Sequence, residues 1–164
     1  GELASILINS PTPFPKKKRA PRRLTYLDRL MKYRLVLEDG GTVRMRTDST
    51  PFRDFSLTQL ELAGYKIEWE TDDVRGMFPD EPWSGYERKL VAKGAPVVGF
   101  CAVPGPAPEH VEQTAPLSLV SYLPEDLENL DYIPFGMQGS IDNIVGYNAN
   151  RRKKGLPDWR PPIV

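Results

Sequence analysis

The stretch NSPTPFPKKKRAPRRLTY, residues 9–26, sets six lysines and arginines among four prolines. Lys16, Lys17, Lys18, Arg19, Arg22 and Arg23 follow one another with no acid between them. Such a cluster suits phosphate neutralisation, the main source of affinity for a polynucleotide. Prolines hold the cations apart and reduce the entropy lost on docking. A solvated loop with no partner is the plain alternative. Other chemistry is thinly represented. His110 is the single histidine and Cys101 the single cysteine, too few ligands for a zinc site. Cys101 lies in an apolar run, where a buried, inert thiol is the simpler reading than a nucleophile.

Charge is balanced overall, with 22 basic and 22 acidic residues among 164. Its distribution is not. Lys16 to Arg34 holds nine Lys/Arg against the one acid Asp28, and Gly105 to Asn150 holds seven acids and no Lys or Arg. This pattern points to a localised anionic partner. The RRKK run at 151–154 offers either a second phosphate contact or a solvated basic tail. One cysteine excludes an internal disulfide and fits a reducing cytoplasm. No apolar run reaches the 18 residues of a membrane span, and the N-terminus lacks the basic start of a signal peptide.

The elements that must position the cations read as follows. SILIN, residues 5–9, is a continuous apolar run, the pattern of a strand buried on both faces. The spacing of Leu24, Leu27, Leu30, Met31 and Leu35 predicts a helix over 24–41, with Thr25 near its start and Gly40-Gly41 as its stop. A strand follows at 42–48. A second helix starts at an N-cap Thr50 with Pro51 behind it and ends at Gly64. Residues 65–73 alternate Tyr65, Ile67 and Trp69 against Lys66, Glu68 and Glu70, a half-exposed strand. The acidic, aromatic segment 69–83 either shapes a base pocket or makes a solvated excursion. Residues 95–103 form a further strand.

Strand–helix alternation predicts an α/β sheet of about four strands with helical crossovers over residues 1–103. The basic loop then sits at the carboxyl edge of the sheet, where open α/β sheets bind ligands. Residues 104–164 read as a linker, one short helix near 121–130 and an irregular tail. A doubly buried strand needs neighbours on both sides. The open side of SILIN therefore predicts a cover: the tail, a second copy in a homodimer, or another polypeptide.

LINSPTPFPKKKRAPRRLTY, LEDGGTVRMRTDS and SGYERKLVAKGAPVVGF, in that order and spacing, resemble the C-terminal half of bacterial tRNA (guanine-N7-)-methyltransferases over residues 3–103. The resemblance implies a partial class I, Rossmann-like methyltransferase sheet lacking its first three strands. The family's Asp-Pro-Trp becomes Thr12-Pro13-Phe14, so the carboxylate at that catalytic position is gone, and the family His becomes Arg19. The resemblance places the catalytic positions at Thr12, Arg19, Arg22 and Asp48. It places substrate contacts at Lys16, Asp48, Ser84, Gly85, Tyr86 and Glu87, and RNA contacts at Lys16, Lys17, Lys18, Arg19, Arg22 and Arg23. Asp48 as a strand-end cap, and Ser84–Glu87 as a surface loop, are the bland readings.

The implied substrate is tRNA and the implied methyl donor S-adenosylmethionine. No strand–GxG–helix unit occurs in the chain, so its donor-binding half is expected outside it. Guanine N7 carries an in-plane lone pair and needs no base before attack; catalysis there is alignment, with carboxylates favouring the cationic product. The departures leave a second reading, a catalytically inactive RNA-binding or protein-interaction module.

Overall fold

In the computed structural model, which describes residues 1–160, nine helices and strands follow one another along the chain. They are β1 (Leu3–Asn9), α1 (Leu27–Val36), β2 (Leu37–Thr47), α2 (Thr50–Leu62), β3 (Tyr65–Thr71), α3 (Val74–Met77), α4 (Gly85–Ala92), β4 (Val98–Pro104) and α5 (Gln138–Lys153). Two 3-10 turns, Lys17–Arg22 and Leu119–Tyr122, complete the list. The strands form one sheet in the order β1-β2-β4-β3. β1 and β2 are parallel, with α1 as the crossover, while β4 runs antiparallel to both β2 and β3. This is an α/β fold on a four-stranded mixed sheet, consistent with part of a Rossmann-like methyltransferase.

One face of the sheet carries the core. Val43, Met45, Phe100 and Ala102 meet Leu27 and Leu30 of α1 and Phe52, Phe55 and Leu60 of α2, all essentially removed from water. Each such large side chain contributes about 1.5–3 kcal/mol by burial. The opposite face carries Arg44, Cys101 and Trp69, covered by the 72–92 segment. A register shift between Ile67 and Trp69 turns Trp69 onto this face, where Arg44 stacks 5.1 Å from its ring. The simple alternation expected for β3 therefore stops at Ile67.

Helix α1 ends at Val36, four residues before the glycines expected to stop it. Leu35 and Val36 are exposed, and the chain turns at once into β2, which pairs Leu37 with Leu3. Gly40 and Gly41 lie inside the strand. A side chain on Gly41 would crowd Leu3 O and Glu38 O, so the close approach of β1 requires glycine there. Thr25 does not cap α1. It is buried and bonds Ser56 Oγ at 2.6 Å, while Gln59 Oε1 accepts from Leu27 N and satisfies one open N–H of the helix start. In α2 the cap is Ser49, whose Oγ accepts from Phe52 N; Thr50 is already helical. Arg34 closes the other end of α2, donating to Ala63 O, Gly64 O and Gly105 O.

β1 is not buried on both faces. Among the described residues it pairs only with β2, and Leu3 and Leu7 are 47% and 62% exposed. Among the described residues the tail does not pair with it. The tail packs elsewhere: Leu119, Met137 and Ile141 enter the core beside α2. The short helix expected at 121–130 is the single turn Leu119–Tyr122. Part of the stretch expected as irregular winds into α5, sixteen residues long. Residues 161–164 of that stretch lie outside the described residues.

Candidate nucleic-acid interface and base site

The basic loop leaves the sheet where Asn9 pairs with Arg46 and Ser10 N donates to Arg46 O. Ser10 and Phe14 hold positive φ, 47° and 44°, a strained backbone for residues with side chains. The collar that maintains it is Arg23. Its Nε donates to Pro13 O and Phe14 O, its Nη2 to Phe14 O and Pro15 O, and its guanidinium lies 4.4 Å from the Phe55 ring centre. Arg23 is fully buried, and burial pulls its guanidinium down to about 10. Its expected place on the RNA surface is therefore corrected: Arg23 braces the loop from inside, because backbone carbonyls rather than phosphates accept from its Nε and Nη2, while its Nη1 is enclosed without a partner among the described residues.

The remaining cations behave differently. Lys16, Lys17, Lys18, Arg19 and Arg22 are exposed on and beside the 3-10 turn, and among the described residues none of them pairs with a carboxylate. Thr12 is exposed on the same loop.

Asp48 follows the last residue of β2 on this rim. Its carboxylate is 9% exposed, and both partners of its Oδ2 come from the tail: Tyr132 Oη donates at 2.8 Å and Phe135 N at 3.0 Å. Burial, then the bond to Asp48, raises the Tyr132 hydroxyl well above its ordinary range, so it stays a donor. Beside Asp48 opens a cavity of about 720 Å³, walled by Asp48, Asp54 and Pro96 on one side and Tyr122, Asp131 and Tyr132 on the other. That volume falls in the range of small-molecule sites.

Ser84 to Glu87 begin α4 rather than a loop. Ser84 Oγ accepts from Glu87 N at 3.1 Å, and Gly85 is the first helical residue. The Glu87 carboxylate, expected at the substrate, is 7% exposed and faces Arg46, which donates to it through Nε at 3.0 Å and Nη2 at 2.9 Å. Glu81 joins the network from Arg44 and Arg46 at 2.7 and 2.8 Å. Glu87 therefore anchors α4 to β2, and its charge is already matched. Tyr86 is 43% exposed, with its ring edge-on to Phe135 at 6.3 Å. Trp83, just before the helix, is flanked by Arg75 at 3.4 Å and Arg88 at 4.6 Å.

One short segment of the tail, residues 130–136, touches all three regions. Tyr132 and Phe135 reach Asp48, Phe135 reaches Tyr86, and a methyl group on Gly136 would lie 3.4 Å from Pro13 Cγ. Tyr132 and Phe135 are absent from the residues expected at the site. Pro134 and Gly136 mark a turn in the sequence, but nothing local ties it to a carboxylate 84 residues away.

The positive-φ glycines Gly64, Gly94 and Gly155 follow helices, Gly40 lies within β2 and Gly136 stands two positions before the start of α5. None sits between a strand and the helix it feeds, the arrangement that cradles a nucleotide. Among the described residues no three His, Cys, Asp or Glu gather to hold a metal, and no helix is long and apolar enough to cross a membrane. Cys101 is buried, and burial raises its thiol.

Residues 1–100 match the family described as "Putative methyltransferase". The tRNA (guanine-N(7)-)-methyltransferase of Limosilactobacillus reuteri is 34% identical over 104 residues, covering 62% of this chain and 49% of the relative. Proteins of the same name from Geobacillus thermodenitrificans and Lysinibacillus sphaericus are 36% and 33% identical, covering 57% and 58% of this chain and 44% and 45% of themselves. The chain thus spans about half the length of the curated relatives it matches. Its matched residues carry the loop, Asp48 and the start of α4, and the chain belongs to this methyltransferase family, the one to which the bacterial tRNA (guanine-N7-)-methyltransferases belong.

Proposed function

We propose that residues 1–103 form the RNA- and guanine-facing half of an S-adenosylmethionine-dependent tRNA (guanine-N7-)-methyltransferase, acting in the cytoplasm. The observation that carries the reading is convergence. The cationic loop, Asp48 and Tyr86, from three separate matched motifs, are bridged by one tail segment at one rim of the sheet.

Lys16, Lys17, Lys18, Arg19 and Arg22 neutralise tRNA phosphates and set the register of the RNA. The Asp48 carboxylate accepts from the N1–H and N2–H donors of guanine, which leaves N7 on the opposite edge of the base. Its charge also favours the cationic product. Tyr86 offers a ring against the base, and Ser84 holds the helix that presents it. The donor supplies the methyl group, and we place its site in the part of the relatives that this chain does not span. That part, or a second copy, covers the free edge of β1.

The test is methyl transfer to tRNA by this chain together with a polypeptide equivalent to the relatives' other half. Transfer lost on Asp48→Asn supports the reading. No transfer, where a full-length relative works, refutes it. Thr12 in place of the family carboxylate favours a second reading, an RNA-binding module without activity. Steeply salt-dependent tRNA binding without methylation is its signature.

A further inference from the structure

The segment outside the family match makes the most specific contact with Asp48. Two donors, Tyr132 Oη–H and Phe135 N–H, converge on one carboxylate oxygen at 2.8 and 3.0 Å. An aromatic ring, Phe135, stands against Tyr86. Guanine would bring to the same place two donors on one edge and an aromatic ring. The tail presents the same complement of groups at the same carboxylate.

Its anchorage explains how it stays there. Leu119 N donates to Pro15 O on one flank of the segment, and Met137 and Ile141 are buried in the core on the other. Between these anchors, Phe135 is 58% exposed and Asp131 and Gly136 are exposed as well. The strap is also held in its middle, where Leu130 and Ile133 pack partly against the core and Pro134 is buried. Lifting it costs those three contacts but leaves the sheet and α2 in place, a local opening rather than an unfolding of the domain.

We propose that residues 130–136 are an internal stand-in for the base, a strap that closes on Asp48 and Tyr86 and that guanine must displace. The proposal rests on the guanine reading of Asp48. A ligand that can bind only the open state loses apparent affinity in proportion to the closed fraction. The strap thereby selects for ligands able to replace both of its donors. Adenine offers one donor on its Watson–Crick edge, N6–H, beside the acceptor N1, and cannot replace both of the strap's donors at the carboxylate.

The experiment compares the full chain with its Tyr132→Phe/Phe135→Ala variant. Each is titrated with a short single-stranded RNA carrying one guanine, and with the same RNA carrying adenine instead. The variant is expected to bind the guanine RNA about tenfold more tightly, with adenine binding unchanged. Hydrogen exchange at the Phe135 amide is expected to be slow in the free chain and to speed up on saturation with the guanine RNA. Phe135→Ala alone, removing an exposed ring, serves if the double variant is unstable.

Equal gains for both RNAs would make the strap a general steric cover and overturn the proposal. Weaker guanine binding by the variant would mean the strap completes the site, and overturns it too. Unchanged guanine binding, or a Phe135 amide that stays protected at saturation, sinks the strap while leaving the RNA reading intact. Failure of both proteins to bind either RNA sinks the RNA reading and the strap together.

Discussion

Arg23→Met is the sharpest perturbation of the basic loop, because it separates bracing from binding. The Arg23 guanidinium makes four hydrogen bonds to three carbonyls, of which only the bond to Pro13 O is fully enclosed. A hydrogen bond to a charged group contributes about 1.5–3 kcal/mol net, and water can partly replace the bonds at Phe14 and Pro15. Methionine would also relieve the cost of a buried cation, visible in the lowered guanidinium. Together these leave a loss of about 3 kcal/mol. For a chain of this size that is roughly 6–12 °C in Tm. The companion variant is Lys17→Ala, on the exposed turn. It is expected to leave Tm unchanged and to lower the slope of log binding constant against log salt by about 1 for tRNA. Arg23→Met is expected to do the reverse: a large fall in Tm, weaker binding, and an unaltered slope. The assays are calorimetry and filter binding at several salt concentrations. If Arg23→Met left Tm alone and cut the slope by about one, Arg23 would be a phosphate contact and the bracing argument would be wrong.

Arg46→Ala should destabilise by about 3–5 kcal/mol in urea unfolding, because it strands the buried Glu87 carboxylate; Arg46→Met with Glu87→Leu should recover most of it. Tyr65 donates to Leu30 O at 2.6 Å, and burial pushes its hydroxyl to about 12 from 10.0. Since the folded value lies above the unfolded one, its contribution is intact below pH 10 and is lost as pH rises toward 12. Tyr65→Phe should therefore shrink the drop in urea stability between pH 9 and pH 11; an unchanged drop would contradict the assignment. Gly99→Ala should lower Tm by several degrees, since the new methyl presses into the Met45 carbonyl in the β2–β4 ladder, a place where backbone must move.

The elements legible in the sequence are those encoded by neighbours. Pro51 and Gly64 bracket α2 because both act within a turn of themselves. Helix α4 carries a local signal of its own: Ser84 with Glu87 three residues on, and Gly94 after the helix, is a capping pattern. Helix α5 gave little to read, since Gly139, Gly146 and three asparagines weaken both propensity and periodicity. Only Ile141 and Asn148 of its residues are buried. The site divides the same way. The exposed cations of the loop are visible as composition. The different fate of Arg23 is not, because nothing in a run of six cations says which one turns inward onto Phe55. Glu87 likewise looks like a free carboxylate until β2 brings Arg46 beside it, 41 residues away.

The position of β4 has a consequence for synthesis. It lies between β2 and β3, so β3 has no hydrogen-bonded neighbour until the ribosome has delivered residues 98–104. At roughly 5–20 residues per second, the first three strands wait a few seconds for the fourth. During that interval the edge of β2 that later pairs with β4 is open, and the nascent chain is exposed to mispairing. A pause or truncation within residues 72–97 is thus the point in translation at which this polypeptide most needs a chaperone.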